Sequence, residues 1–398
     1  MRKDRTRREF VTASGALAGS ALLAGCTGDS GGPSDGSGNG TESGDDQPTE
    51  AAGNAETTTE GSGYSASMEP VGEVRLDSPP QKVAHYFPGY ADMAVALGHG
   101  DTITSIGVPS RYHTDAYDEL DGVSVDTESM TKLVGDSGID REVFYDLDSD
   151  LHMIDPQWLV NNSFFGLEES DIQELSDAVA PFFGNAIFRR TDEWHDYRYY
   201  TMYEAFEKVA TVHGEEETFR AFKSFHDSFI EEVTGKLPPE GERPAALLCF
   251  AADDQPEKFS PYRLSDQGTN KKQFHDLGIG DALAETGIEG LSTTDRGQID
   301  YETMLEVDPE SILVRGHEDK SEEEFRNTVL AFMKDHDVAS DLTAVQEGRV
   351  FRGGPIYEGP VHNLFLTERF AKLYFPDAFD EGELFDRGRV SEIVTGGN

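Results

Sequence analysis

The sequence predicts an α/β fold: two Rossmann-like lobes with central, mainly parallel sheets, joined by a long rigid helix. Three observations carry this expectation. Short apolar strands alternate with helical stretches in both halves of the chain, the pattern of parallel sheets. Between the halves, Tyr197 to Lys236 is helical in pattern, with Phe219, Phe222, Phe225, Phe229 and Val233 recurring at three- and four-residue steps. About 320 residues remain beyond Met68, enough for two lobes.

The elements follow in order. Lys82-Val83-Ala84-His85-Tyr86 reads as the first strand, and Pro88-Gly89 turns the chain into a helix from Ala91 to Leu97. Thr102 to Gly107 and Asp150 to Asp155 are further strands, the latter stopped by Pro156. Gly214, followed by three glutamates, marks a break and a fresh helix start, since acids favour the first turn of a helix. Pro238-Pro239 ends the helical stretch. In the second half Ala245 to Phe250, Ser311 to Val314 and Arg349 to Phe351 are strands. Gly280 to Thr286, Tyr301 to Glu306 and Leu364 to Tyr374 are helices.

The N-terminus carries an address. Arg7-Arg8 precedes an uncharged stretch from Phe10 to Gly25, too short and too rich in Ala, Gly and Ser to span a membrane. It resembles a twin-arginine export signal over residues 1–25. Leu23-Ala24-Gly25-Cys26 resembles a lipobox, so Cys26 is the expected lipidated residue and the membrane anchor. Residues 26–67 are expected to form a disordered acidic tether, because the stretch from Thr27 onward contains no Leu, Ile, Val or Phe. The expected domains are then a first lobe over 68–196, a helical brace over 197–238 and a second lobe over 239–398.

Composition narrows the function. The chain carries 77 Asp and Glu against 33 Lys and Arg, a formal net charge of −44. Such a charge repels itself in dilute buffer and is tolerable where molar salt shortens the Debye length to about 3 Å. A halophilic protein is expected, and a nucleic-acid partner is excluded for want of basic patches. With two cysteines, one of them Cys26 and the other, Cys249, in an apolar strand, neither a disulfide framework nor a thiolate zinc site is available. No nucleophile elbow, Walker loop, dinucleotide fingerprint or zinc-protease motif occurs, and the eleven histidines lack ligand spacing. No enzyme, no cofactor and no directly held metal are expected.

Several stretches resemble a family. Ala91 to Gly98, Ile299 to Pro309 and Gln346 to Phe351, with Glu358-Gly359-Pro360 after them, look like the substrate-binding lipoproteins of ABC importers. The resemblance is to the class with a rigid helical brace, which serves ferric siderophores, vitamin B12 and haem, and it covers residues 79–380. It implies a monomeric extracytoplasmic receptor, anchored to the outer face of the cytoplasmic membrane, that delivers a ferric siderophore or similar metal chelate to an ABC permease and its ATPase. It also implies one permease-docking glutamate per lobe, matched by Glu142 and Glu302.

Ligands of open α/β sheets sit beyond the carboxyl ends of the strands. That rule selects Tyr86, Phe87 and Tyr90 after the first strand, Arg111 and Tyr112 after the second, and Trp158 after the third. Arg189 and Arg190 follow Phe188, and Arg263, Arg296, Arg315, Arg352 and Tyr357 come from the second half. Guanidinium groups suit anionic chelates, and aromatic rings suit their flat faces. Tyr86, Tyr90, Tyr112 and Tyr357 leave bare ferric iron open. Cobalamin or haem binding is the alternative within the class; an exported hydrolase or an adhesion lipoprotein lies outside it.

Overall fold

The computed structural model describes residues 64–284, 286–288 and 297–396. Arg7, Arg8, Cys26, most of the expected tether and Arg296 lie outside them. The described residues belong to one compact unit, Thr59–Asn398.

A hairpin comes first, β1 (Tyr64–Met68) against β2 (Gly72–Leu76). It begins four residues before the expected end of the tether. Alternation explains it: Ala66, Met68 and Val74 turn inward while their neighbours face water.

The first lobe follows as β3 (Val83–His85), α1 (Pro88–Ala96), β4 (Ile103–Ile106), β5 (Thr131–Lys132), α2 (Glu142–Leu147), β6 (Leu151–Met153), α3 (Pro156–Asn161) and α4 (Glu169–Ala178). Its four strands lie in the order β5-β4-β3-β6, every pair parallel. Next come α5 (Met202–His213) and α6 (Glu216–Thr234).

The second lobe contains β7 (Ala245–Phe250), β8 (Ser260–Tyr262), α7 (Lys272–Leu277), β9 (Gly280–Asp281), α8 (Tyr301–Val307), β10 (Ile312–Arg315), α9 (Glu322–Phe325), α10 (Ala331–Asp335), α11 (Thr343–Gln346) and β11 (Val350–Arg352). Its strand order is β11-β10-β7-β8, with β9 beside the start of β7 and only β8 antiparallel. Gly280 and Asp281 are therefore strand where a helix was expected; pairing with Ala245 and Ala246 overrides the local pattern. The chain closes with α12 (Pro360–Tyr374) and α13 (Arg387–Val394).

The expected single brace is two helices. Gly214 adopts φ +73°, and a Cβ there would lie 2.7 Å from the Tyr64 ring, so only glycine fits the reversal. α6 alone has the length of a brace: 19 residues, about 28 Å at the helical rise. Phe206 of α5 packs edge-on against Phe219 and Phe222 of α6, which is the use made of the aromatic stripe.

The period of two along the second sheet divides its core. Leu248 and Leu313 join the large cluster shared with the first lobe and α12. Leu247, Cys249, Ile312, Val314 and Val350 face a separate cluster on the outer side. Cys249 is fully buried and free.

Candidate functional site

Between the lobes lies a cleft of about 660 Å³, within the usual range for small-molecule sites. Its walls are the carboxyl ends of the strands. Tyr86 follows β3, Val108 and Arg111 follow β4, Val134 follows β5, and Trp158 stands beyond β6 on α3. Phe250 ends β7, Ser260 and Tyr262 belong to β8, and Ile356 and Tyr357 follow β11. Parallel strands point every loop of a lobe to the same edge, so residues distant in sequence converge there.

Aromatic rings dominate the lining. Tyr86 meets Trp158 at 5.9 Å and Phe165 at 5.5 Å between ring centroids, and Phe188 meets Tyr357 at 4.9 Å. Gly107 makes room for this wall, because a Cβ there would lie 2.8 Å from the Tyr86 ring. Phe164, on the loop after α3, is 53% exposed at the cleft, whereas its neighbour Phe165 is buried. Two cations complete the lining. Arg189 lies 5.4 Å from the Trp158 ring centroid and makes a two-pronged pair with Asp192 at 2.9 and 3.1 Å. Arg111 and Arg189 both act on the Tyr357 hydroxyl, whose pKa burial raises and the two arginines partly restore. Among the described lining residues there is no carboxylate and no histidine or cysteine. In a chain with 77 acids, that absence sets the cleft apart from the rest of the surface.

Five of the thirteen residues selected from sequence thus meet in the cleft: Tyr86, Arg111, Trp158, Arg189 and Tyr357. Phe87 stands behind it, packed against Tyr86, Trp158, Phe188 and Tyr357. Of the others, Arg296 lies outside the described residues and the rest do not line the cleft. The Tyr90 hydroxyl donates to the Asn185 carbonyl at 3.0 Å, deep beneath the wall. Tyr112 folds inward, its hydroxyl 3.2 Å from that of Tyr117. Arg190 turns to the rear, donating to the Tyr197 carbonyl at 2.8 Å. Arg263 is taken up by the carbonyls of Leu283 and Thr286, and Arg352 by that of Lys320.

Arg315 is fully buried under the cleft floor, 4.9 Å from the ring centroid of Tyr262. It donates to the carbonyls of Gly353 and Asn270 and has no carboxylate within ion-pair distance. Lys271, 1% exposed, lies close enough to feel its charge, and burial brings the ammonium down to about 8. A buried guanidinium without a direct ion pair is costly, and acids act on the two cations at longer range, Glu358 on Arg315 and Asp266 on Lys271. Phe164, Phe165, Phe250 and Tyr262 escaped the sequence reading. The Phe164-Phe165 pair in a polar loop after Trp158 was the available signal.

Glu142 and Glu302 occupy equivalent places. Each is exposed in the first turn of a short helix, α2 and α8. Each of those helices ends at an aspartate with positive φ, Asp148 at 47° and Asp308 at 40°, just before a strand. Among the described residues no helix is long and apolar enough to cross a membrane, and no cluster of three or more His, Cys, Asp or Glu could hold a metal ion.

Comparison with known proteins agrees with this architecture. A periplasmic binding protein from Veillonella parvula is 13% identical, with a TM-score of 0.53, covering 79% of this chain and 97% of that one. CeuE from Helicobacter pylori, in a Ni–His complex, is 14% identical with a TM-score of 0.54, covering 84% and 96%. A periplasmic heme binding protein from Pseudomonas aeruginosa is 13% identical with a TM-score of 0.53, covering 75% and 94%. No curated protein matches the chain. The family model described as periplasmic binding protein matches residues 83–357, which span both sheets and the cleft between them; the chain is a member of the periplasmic binding protein family, a substrate-binding protein and not an enzyme.

Proposed function

We propose that the cleft captures an anionic ferric chelate of the siderophore type and presents it to an ABC permease. The observation that carries this reading is the lining: among the described residues it is made of aromatic rings and two arginines with no carboxylate in the wall, Arg189 alone being paired, with Asp192, in a chain of net charge −44. Guanidinium groups suit the oxygens of an anionic chelate, and the rings suit its flat or aromatic arms. The buried charge of Arg315 and Lys271 beneath the floor acts in the same sense. The absence of imidazole and thiol among the described lining residues favours a metal that arrives already chelated. The like placement of Glu142 and Glu302 supports their roles as paired docking carboxylates, one per lobe. Export through the twin-arginine signal and anchoring by Cys26 complete the proposal.

The test is tryptophan fluorescence of the protein in molar KCl, titrated with ferric catecholates, ferric hydroxamates, ferric citrate, haem and cobalamin. Trp158 lines the cleft and reports occupancy. Saturable quenching by an anionic ferric chelate is expected. A response to haem or cobalamin alone replaces this ligand with that one.

A further inference from the structure

The pentapeptide Lys-x-Phe-His-Asp occurs twice, as Lys223 to Asp227 on α6 and as Lys272 to Asp276 on α7. The fold sets the two copies around one pocket of about 420 Å³, behind the cleft. In each copy the lysine bridges to its own aspartate one turn later, at 2.5 Å on α6 and 2.6 Å on α7. Both ammonium groups lie 5.9 Å from the centroid of the Tyr203 ring. Tyr199 adds a second aromatic side chain to the lining.

We propose that this pocket is a second small-molecule site, one that takes a zwitterion carrying an ammonium group and a carboxylate. The charge pattern selects that class. Two lysines and two aspartates sum to zero; of the two histidines, His275 gives its Nε2 to the Leu264 carbonyl, and burial holds His226 down to about 4, so its imidazole is neutral at pH 7. A simple anion would draw a lysine from its aspartate and leave a carboxylate uncompensated; a simple cation would do the reverse. The Lys272 and Asp276 side chains are only 20% and 19% exposed, so water does not make good such a loss. A dipolar ligand exchanges with both members of a pair and leaves no charge alone.

Two further groups point to a missing polar partner. The Tyr203 hydroxyl and the Nε2 of His226 are buried and without a hydrogen-bond partner, although both residues line the pocket. Buried polar atoms are ordinarily satisfied, and a small shift of the lining on binding brings these two within reach of a ligand with donors and acceptors. None of these residues lines the cleft, so the site stands or falls apart from the chelate reading.

The experiment is calorimetric titration of the full-length protein in molar KCl with glycine and glycine betaine, and with choline and acetate as single-charge controls. Saturable binding of a zwitterion is expected, at least tenfold tighter than either control. Asp227→Asn and Lys223→Gln alter side chains that are 54% and 44% exposed, so the fold tolerates them. Each should weaken the zwitterion at least tenfold and leave the tryptophan response of the cleft unchanged. Absence of saturable heat with both zwitterions, equal affinity for choline or acetate, or indifference to both substitutions overturns the proposal.

Discussion

The Asp92 carboxylate of α1 caps a helix at the far end of the chain, α12: its Oδ2 accepts from the backbone N–H of Val361, 269 positions later, at 2.8 Å and of His362 at 3.3 Å. The residue at the capping position of α12 is Gly359, which has no side chain to do this work. It cannot have one, since a Cβ there would lie 2.5 Å from Asp92 Oδ2 and from the Gly89 carbonyl. The other oxygen, Oδ1, accepts from the Tyr117 hydroxyl at 2.6 Å. The first lobe thus satisfies the free N–H groups of a helix that leads out of the second, and the negative charge lies at the positive end of that helix.

Asp92→Ala removes this cap and leaves the two N–H groups buried without partners. A loss of about 2–3 kcal/mol is expected from the cap and desolvation together, read as a lower midpoint in urea unfolding. Asp92→Asn, which keeps the shape and one acceptor oxygen, should recover part of it. A midpoint unchanged in Asp92→Ala would mean that α12 is held without the cap.

Among the described residues Arg111 is the cleft arginine without an ion-paired carboxylate, and its charge acts on the Tyr357 hydroxyl. Arg111→Met should weaken an anionic chelate by about ten- to a hundredfold, the worth of one charge-assisted hydrogen bond. Arg189 is already neutralised by Asp192, and Arg189→Met should also disturb the Trp158 wall. Phe164→Ala should act on dissociation, because a ring 53% exposed in the free protein gains contact only when ligand lies under it. Stopped-flow fluorescence separates these effects; an unchanged dissociation rate in Phe164→Ala removes that ring from the site.

Acid should destabilise the protein through its buried histidines. Burial holds His85, His152, His195 and His226 down to about 4 and His213 to about 3, against 6.5 for a free imidazole. The unfolded chain therefore takes up these protons first as pH falls. Stability is lost between about 6.5 and 4 and is unaffected by these groups above that window. Burial also raises Asp155, to about 6, together with Asp92, Asp266 and Glu358, and these carboxyls work in the opposite sense. His152 tests the cause. Both its ring nitrogens lack partners, and it packs between Phe144 and Phe182 at 5.0 and 4.7 Å. His152→Phe should be nearly neutral at pH 7.5 and stabilising by on the order of 2–3 kcal/mol at pH 4. Thermal melts across that range in molar KCl decide it, and equal melts at pH 4 exclude this histidine.

Much of the framework was legible in the sequence because strand and helix periods are local. Leu247 to Val314 alternate between two cores as their spacing requires, and Gly214 breaks the brace where a glycine precedes three glutamates. The direction taken by long side chains was not legible. A guanidinium on its flexible stem turns to the nearest free carbonyl, as Arg263 and Arg352 do, whatever strand end it follows. Short rigid aromatics such as Tyr86 and Trp158 stay where the backbone puts them, which is why they were placed better than the arginines. The Asp92 cap depends on a contact across lobes and the position of Tyr262 on antiparallel pairing of the short β8 with β7, and no local pattern announces either.

The two glutamates on short helices give the last prediction. Six residues separate Glu142 from Asp148 and six separate Glu302 from Asp308, and both aspartates turn the chain with positive φ into a strand of the sheet. The same local device therefore presents each carboxylate from its own lobe. Exposed ion pairs are weak and molar salt screens them further, so a docking contact must exclude water to hold. Glu142→Arg or Glu302→Arg reverses the charge at such a contact. Either should leave chelate binding within twofold and lower ligand-dependent ATPase stimulation in proteoliposomes of the permease at least tenfold. The double variant should do no worse than the weaker single one if both lobes must dock together. Full stimulation by both single variants would mean that the carboxylates share a fold position and no function.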